Sequence, residues 1–395
     1  MYVKDFDVAI CGGGIAGIAG ALAAARRGCR TVLIEKTLQP GGLAASGLIL
    51  VYLPLCDGRG EQLLFGLPEE LMVAANKYGP CEIDKQWRKN GGRLQVNFSP
   101  GAAVLGWDEL LEEAGVSVWL DTVITDCTVE NGVLKSVDVF NKSGKGRISA
   151  GCFIDATGDA DIASGCGNAC RDSGNAMVLW ALEHRPPELQ KETFSDEYSG
   201  GMIPLAGSVC AVMRADPLKK VYSTEPVSGK LVSDFTLEGR RRYRRDLQKI
   251  GHLKKDIYPV TLQNQVPLRR TRAVSGRYTL TSEDEGKSLP LAVIKTGDWR
   301  SAGRVWEIPY PALLPDNVEN LLVSGRCISA LDSAWEAIRV IPVAAKTGEV
   351  AGIAAALSLI ENCMPSELPF DLLAAELRKT TPESALPEAC LACLR

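Results

Sequence analysis

The sequence predicts an α/β fold: a mostly parallel sheet flanked by helices and interrupted by an inserted α+β domain. Its main sign is the opening stretch Phe6–Lys36, which reads as an apolar strand, a run of three glycines, an alanine-rich helix, a second apolar strand and a glutamate. Further along, Cys152-Phe153-Ile154-Asp155 reads as a buried strand that runs into Ala156-Thr157-Gly158-Asp159. Late in the chain, Asn320–Ser324 reads as a strand ending at Gly325-Arg326, with a small-residue helix from Pro342 to about Leu359 beyond it. Apolar strands that alternate with helices argue for parallel pairing.

Taken in order, Val8-Ala9-Ile10 is the first strand, and Gly12-x-Gly14-x-x-Gly17 follows at once. Gly12 permits a tight turn, Gly14 lets backbone N–H groups approach a pyrophosphate, and Gly17 lets the helix pack closely on the strand. The helix is expected to run to about Arg27 and stop at Gly28. Its N-terminus directs the positive end of its dipole at the phosphates. The second strand, Thr31–Ile34, ends at Glu35, whose carboxylate can accept hydrogen bonds from both hydroxyls of an adenosine ribose. The same carboxylate would repel a 2′-phosphate, which argues against NADP. NAD and FAD share this fingerprint, so it predicts a dinucleotide without choosing between them.

Gly41-Gly42 follows closely, which would let the chain pass under an extended dinucleotide. Asn131-Gly132 predicts a turn before a strand over Val133–Phe140, and Ser143-Gly144 marks another. Pro186-Pro187, Pro204 and Pro217 punctuate irregular segments. The basic run Arg240–Arg245 reads as a solvated helix face. Val266–Leu280 is strand-like, and alternation would put Arg270 and Arg272 on one face and Arg269 on the other. The predicted divisions are residues 1–163 and 301–362 for the nucleotide-binding domain, 164–300 for an inserted substrate domain, and 363–395 for a tail with a short helix over Pro369–Lys379.

Composition excludes other classes. A net charge of −4 and a pI of about 5.6 provide no field for DNA. No signal peptide is legible, and the apolar stretches are broken by Arg26 and Arg27 or by Lys346 and Glu349, so no membrane span is expected. The 13 cysteines are scattered through apolar stretches, which suits the reduced, mostly buried thiols of a cytoplasmic protein. Cys166/Cys170 and Cys390/Cys393 are close pairs, but no run of four at cluster spacing exists, so no iron–sulfur centre is expected. His184 and His252 stand far apart, which predicts no metal site and no catalytic triad.

The chain resembles the FAD-dependent oxidoreductases of the glutathione-reductase-like superfamily. It is most similar to the bacterial group whose flavin domain looks like that of the heterodisulfide reductase A subunit. The resemblance rests on CGGGIAGIAGALAAARRG, LIEKTLQPGGLAASGL, FIDATGDADIA, LRRTRAVSGRYTLTSED and NLLVSGRCISALDSAWEAIRVIPVAAKTGEVAGIAAAL, which span nearly the whole chain. It implies a Rossmann-like FAD-binding domain of the glutathione-reductase type. It implies non-covalent FAD held by Gly12, Gly14, Ile15, Ala16, Gly17, Glu35, Lys36, Gly42, Thr157, Gly158, Asp159, Gly325, Arg326 and Ile341. Many members carry Gly-Asp where this chain has Gly325-Arg326, and that aspartate meets the ribityl or pyrophosphate region. No second glycine fingerprint follows residue 150, so a dedicated NAD(P)H domain is not expected.

The implied activity is hydride transfer between a small anionic substrate and flavin N5. An electron-transfer subunit acting through a protein partner is the alternative, and an oxygen-activating hydroxylase is a third reading, disfavoured by the missing Gly-Asp. The resemblance directs the apolar stretch Leu48–Gly58 toward the isoalloxazine ring, which makes Cys56 and Asp57 candidates for the substrate face. A buried small hydrophobe at Cys56 and a turn residue at Asp57 are the competing readings. Arg272 could fork onto a substrate carboxylate or carbonyl. Arg339 would stand beside the pyrimidine edge of the flavin. There it could neutralise the reduced ring, hold a substrate anion, or pair with Glu336 three residues away. The expected partners are a small-molecule substrate, with no nucleic acid and no membrane; the electron donor or acceptor is left open, and a homo-oligomer is allowed.

Overall fold

The computed structural model describes residues 1–80, 83, 95–172, 178–190, 202–214 and 227–393; Pro217 lies outside them. Strand β1 (Tyr2–Cys11) buries its last four residues, the apolar Val8–Cys11. Helix α1 (Ile15–Ala25) is almost wholly alanine, glycine and isoleucine, and only its last residue escapes burial. It ends as expected before Gly28, which adopts φ +86°. Strand β2 (Thr31–Ile34) is buried throughout. A short antiparallel pair, β3 (Val51–Tyr52) and β4 (Val96–Asn97), accompanies helices α2 (Leu67–Lys77) and α3 (Pro100–Glu113). Then come β5 (Ser117–Trp119), β6 (Val123–Glu130), β7 (Val133–Asn141) and β8 (Gly144–Asp155). Asn131 and Gly132 take φ +50° and +77°, the left-handed pair that a tight hairpin needs.

Helix α4 (Asp161–Gly165) and strand β9 (Cys170–Asp172) lead into β10 (Leu179–His184), β11 (Met202–Ala206), β12 (Val209–Arg214), α5 (Gly229–Lys249), β13 (Tyr258–Leu262) and β14 (Arg272–Val274). Strands β11-β12-β10-β13 form an antiparallel sheet. Helix α5 buries Phe235, Gly239, Tyr243 and Asp246, one stripe at helical spacing. A Cβ at Gly239 would overlap Leu179, and the Tyr243 hydroxyl donates to Glu183 Oε1 at 2.8 Å. The basic run lies on this helix, with Arg241 and Arg242 both paired to Glu238, as a solvated face should be.

The hairpin β15 (Ala292–Gly297) and β16 (Val305–Pro309) precedes β17 (Leu321–Val323), α6 (Asp332–Ile338), α7 (Ile341–Ile360), α8 (Phe370–Arg378) and α9 (Glu388–Ala392). By length and composition α7 could cross a membrane, but 78% of its apolar window is buried inside the protein. It packs on α1 at glycine contacts: a Cβ at Gly348 would overlap the Ala16 carbonyl, and one at Gly352 the Gly20 carbonyl. Its Lys346 is buried, bonded to Glu349 Oε2 at 2.9 Å and Thr381 Oγ1 at 3.0 Å.

The main sheet runs β5-β2-β1-β8-β17 in parallel, with the β6–β7 hairpin antiparallel on the first half of β8. In register, Cys11 lies opposite Ile34 and Asp155, and Val323 opposite Asp155. Four strands therefore end at one level.

One expectation changes. Of Val266–Leu280 only Arg272–Val274 is strand, paired with β9. Pro267 has no N–H for a ladder, and Leu268 N–H turns back on Val266 O at 2.8 Å. The expected division at 163/164 falls inside α4, and that at 300/301 falls between β15 and β16, which pair with each other.

Candidate functional site

The aligned strand ends deliver Gly12, Glu35, Ala156-Thr157 and Ser324-Gly325 to one cavity of about 450 Å³. It lies beyond the carboxyl ends of β2, β1, β8 and β17. There the strand order reverses around β1, the place where open α/β sheets bind ligands. Gly12 has φ +103°, and a Cβ there would stand 2.7 Å from Ala156 O; one at Gly17 would overlap Gly12 O. A Cβ at Gly14 would meet only Ala156 O at 4.0 Å, so that position is open. The chain returns at Gly42, φ +52°, where a Cβ would come 3.0 Å from Gly14 Cα. Only glycines let these backbones approach each other and a ligand.

Glu35 is buried at the cavity wall. Its Oε2 accepts from Gly13 N at 2.7 Å, and its Oε1 from Thr37 N and Oγ1 at 2.8 Å. These bonds fix the carboxylate, fill both lone pairs of Oε1 and leave one lone pair of Oε2 for a ligand hydroxyl. Asp155, fully buried, accepts from Thr157 N (3.0 Å), Thr157 Oγ1 (2.7 Å), Ile162 N (3.0 Å) and Ala163 N (3.0 Å). Burial pushes its carboxyl up while these bonds pull the other way. The result is a fixed Thr157-Gly158 turn on the cavity.

Arg326 crosses that turn. Its Nε donates to Gly158 O at 2.8 Å and its Nη2 to Asp159 Oδ1 at 2.6 Å. Its Nη1 is buried with no hydrogen-bond partner among the described residues, in a side chain 9% exposed that lines the cavity. Asp159 also accepts from Thr271 Oγ1 at 2.8 Å.

The N-terminus of α7 opens on the cavity through Ile341 and Ala344. Arg339, just before it, lines the cavity and pairs with Glu336 Oε2 at 2.9 Å from Nε. Its guanidinium lies over Trp299, 5.9 Å from the ring centroid, and Trp299 Nε1 donates to Glu336 O at 2.8 Å. Burial pulls the Arg339 guanidinium below its ordinary value, against the opposing charge of Glu336. The pairing with Glu336 and the place on the cavity wall thus coexist.

Ile15, Ala16, Lys36, Gly42, Gly158 and Gly325 line the same cavity. Asp159, Lys36 and Arg326 line a second one, which also includes Arg272. Arg272 is not among the lining residues of the glycine-loop cavity. Its Nε donates to Asp159 O (2.9 Å), its Nη1 to Ser164 Oγ (3.0 Å), and its Nη2 pairs with Asp161. Cys56 and Asp57 are not among that cavity's lining residues either. Asp57 Oδ1 accepts from Arg59 N (2.7 Å) and Glu61 N (3.0 Å), and its carbonyl from Gly303 N (2.7 Å), so it closes a turn against the β15–β16 hairpin. Cys56 is buried beside it, and a Cβ at Gly297 would stand 2.8 Å from Cys56 O. Of the C-terminal pair, Cys390 is buried with Sγ 3.1 Å from Ala292 O, and Cys393 is exposed.

Sequence reasoning missed the wall formed by Thr122–Cys127, together with Gln265, whose N–H donates to Ser46 O at 3.1 Å. Neither stretch has a residue pattern that announces a ligand.

The family model for FAD dependent oxidoreductases matches residues 7–177 and 216–377. The fold is similar to that of CabE, an aromatic hydroxylase from angucycline biosynthesis, with TM-score 0.53 and 14% identity over 94% of this chain. The chain spans 64% of the length of that protein. It is also similar to p-nitrophenol 4-monooxygenase PnpA from Pseudomonas putida DLL-E4, with TM-score 0.51, 11% identity, and coverage of 100% of this chain and 89% of that one. At these identities the likeness is one of fold. The residues present fit FAD: a glycine cradle that a Cβ would fill, a fixed carboxylate at Glu35, and an unpartnered buried guanidinium nitrogen at Arg326.

Proposed function

The chain belongs to the FAD dependent oxidoreductase family, and we propose that it transfers a hydride between a small anionic substrate and N5 of non-covalently bound FAD. When bound, FAD supplies the hydride chemistry at N5; the protein binds, orients and tunes. In this reading the Gly12–Gly17 backbone and the α1 N-terminus hold the pyrophosphate. Glu35 accepts from the adenosine ribose, and Arg326 Nη1 donates to an anionic or hydroxyl oxygen of the cofactor. The α7 N-terminus and Arg339 present positive charge to the flavin end, where it stabilises the negative charge of the reduced ring.

The observation that carries the reading is one cavity lined from Glu35 through Arg326 to Arg339 and Ile341. It is tested by mixing the holoprotein anaerobically with a panel of small organic acids, alcohols and amines and following flavin absorbance. Bleaching by a small metabolite alone is the expected result. Reduction by a protein partner only would favour the electron-transfer alternative. The fold likeness to a hydroxylase and a monooxygenase adds one arm: oxygen incorporation into product would replace hydride transfer with oxygen activation.

A further inference from the structure

Two cysteines far apart in sequence meet at the cavity wall. Cys127 of β6 lines the cavity, and so does Gly165 at the end of α4. A Cβ at Gly165 would stand 3.3 Å from Cys127 Sγ, so the end of α4 lies directly against that sulfur. Cys166 is the next residue, and its S–H donates to the Cys127 sulfur. The pairing differs from the one that spacing suggests: Cys170, the near neighbour of Cys166, holds its own Sγ 3.6 Å from Asn168 O.

Both sides of the pair are anchored. Asp155 accepts from Ile162 N and Ala163 N on α4, and Cys166 N donates to Ile162 O at 2.8 Å. On the strand, Cys127 N donates to Asp126 Oδ1 at 2.8 Å, and Cys127 lies opposite Val137 of β7. The exposed Gly165 and Gly167 flank Cys166, Gly167 at φ +78°, which gives the backbone around this thiol room to adjust.

Both thiols are half-buried and within reach of small solutes. The hydrogen bond from Cys166 pulls the Cys127 thiol below its ordinary value, against partial burial and the carboxylates of Asp155, Asp126 and Asp138. Burial does the reverse elsewhere, pushing Cys11 and Cys327 well up and Cys152 and Cys390 up to about 12. The thiolate is the form that oxidants meet, and susceptibility follows thiolate character and access. The same three carboxylates repel an anionic oxidant, so the setting favours a small neutral one.

We infer that Cys127 and Cys166 form a dithiol oxidation site in the cavity wall, where hydrogen peroxide oxidises Cys127 and Cys166 resolves it to a disulfide. The Cys127 thiolate attacks one peroxide oxygen, the O–O bond breaks, and hydroxide leaves behind a sulfenic acid. The Cys166 sulfur then attacks the Cys127 sulfur. The S–S bond forms, the S–O bond breaks, and the hydroxyl departs with the Cys166 proton as water. The two sulfurs give up two electrons and peroxide takes them. The product ties β6 to α4, the elements that place Cys127 and Gly165 on the wall. This site is independent of the hydride-transfer reading.

The test treats the reduced holoprotein with hydrogen peroxide, blocks the remaining thiols, digests without reductant and maps linked peptides by mass spectrometry. A Cys127–Cys166 linkage is expected as the dominant product, reversed by dithiothreitol. Cys166→Ser keeps a hydroxyl donor but cannot resolve, so Cys127 accumulates as sulfenic acid and is trapped by dimedone. Cys166→Ala removes the donor, and trapping at Cys127 slows roughly tenfold, as loss of one hydrogen bond to a charged group does. Two thiols that were merely neighbours would show no such difference between serine and alanine. The exposed Cys393 is the reference within each digest; Cys127 of Cys166→Ser is trapped faster. Absence of the linked peptide, linkages spread over other cysteines, trapping at Cys127 no faster than at Cys393, or equal trapping in the two variants overturns the inference. If the variants do not fold, the wild-type linkage map decides by itself.

Discussion

Arg326 offers the sharpest perturbation. Its Nη1 is buried on a side chain that lines the cavity and has no hydrogen-bond partner among the described residues, while Nε and Nη2 are held by Gly158 O and Asp159 Oδ1. If Nη1 donates to an anionic oxygen of FAD, the lost bond is charge-assisted, worth about 1.5–3 kcal/mol. Arg326→Gln should therefore weaken FAD binding roughly 10- to 150-fold. The substitution also deprives Asp159 of its ion pair, leaving it the 2.8 Å bond from Thr271 Oγ1. That loss falls on the apoprotein too, so a drop of about 1–3 kcal/mol in its stability is expected. Two assays separate the effects: thermal melting of the apoprotein, and titration of apoprotein with FAD followed by quenching of flavin fluorescence. Arg326→Asp, which sets a second carboxylate beside Asp159, should be worse in both. A variant with a destabilised apoprotein but an FAD affinity within twofold of wild type would refute the reasoning and make Arg326 a brace for the Gly158–Asp159 turn.

Other outcomes follow from the same geometry. Glu35→Ala should weaken FAD by about 1–3 kcal/mol, measured by the same titration, since it removes a ribose acceptor and the 2.7 Å bond that fixes Gly13 N. Arg339→Met should keep FAD but lower its reduction potential by tens of millivolts in a redox titration. A unit charge about 8 Å away at an effective dielectric of about 20 corresponds to roughly 40 mV for a two-electron couple, and the pairing with Glu336 reduces it. Free NADH should reduce the flavin slowly if at all in stopped flow, because one glycine fingerprint is legible and FAD claims it; fast, saturable reduction would reveal a second nicotinamide site.

Much of the fold was legible because backbone chemistry dictated it. Thr31–Ile34 is apolar and short, Gly12 and Gly17 stand where a Cβ would strike a carbonyl, and Asn131-Gly132 supplies left-handed residues for a hairpin. The small-residue composition of α7 likewise follows from its close approach to α1 at Gly348 and Gly352. What escaped depends on contacts distant in sequence. Thr122–Cys127 form a cavity wall through their place beside α4 and the glycine loop, which no local pattern encodes. Arg270 and Arg272 were expected to share a strand face, yet Arg270 meets Glu336 and Arg272 meets Asp161, because the strand begins only at Arg272. Cys56-Asp57-Gly58 could be read as a site or as a turn, and the backbone N–H groups of Arg59 and Glu61 that occupy Asp57 are invisible until the loop is folded.

The most direct measurement of the central claim, that this single cavity holds FAD without a covalent bond, is the flavin released when the purified protein is heat-denatured, separated by chromatography and counted against protein. FAD is expected in the supernatant at close to one per chain. No released flavin, flavin that stays with the denatured chain, or FMN alone would contradict it.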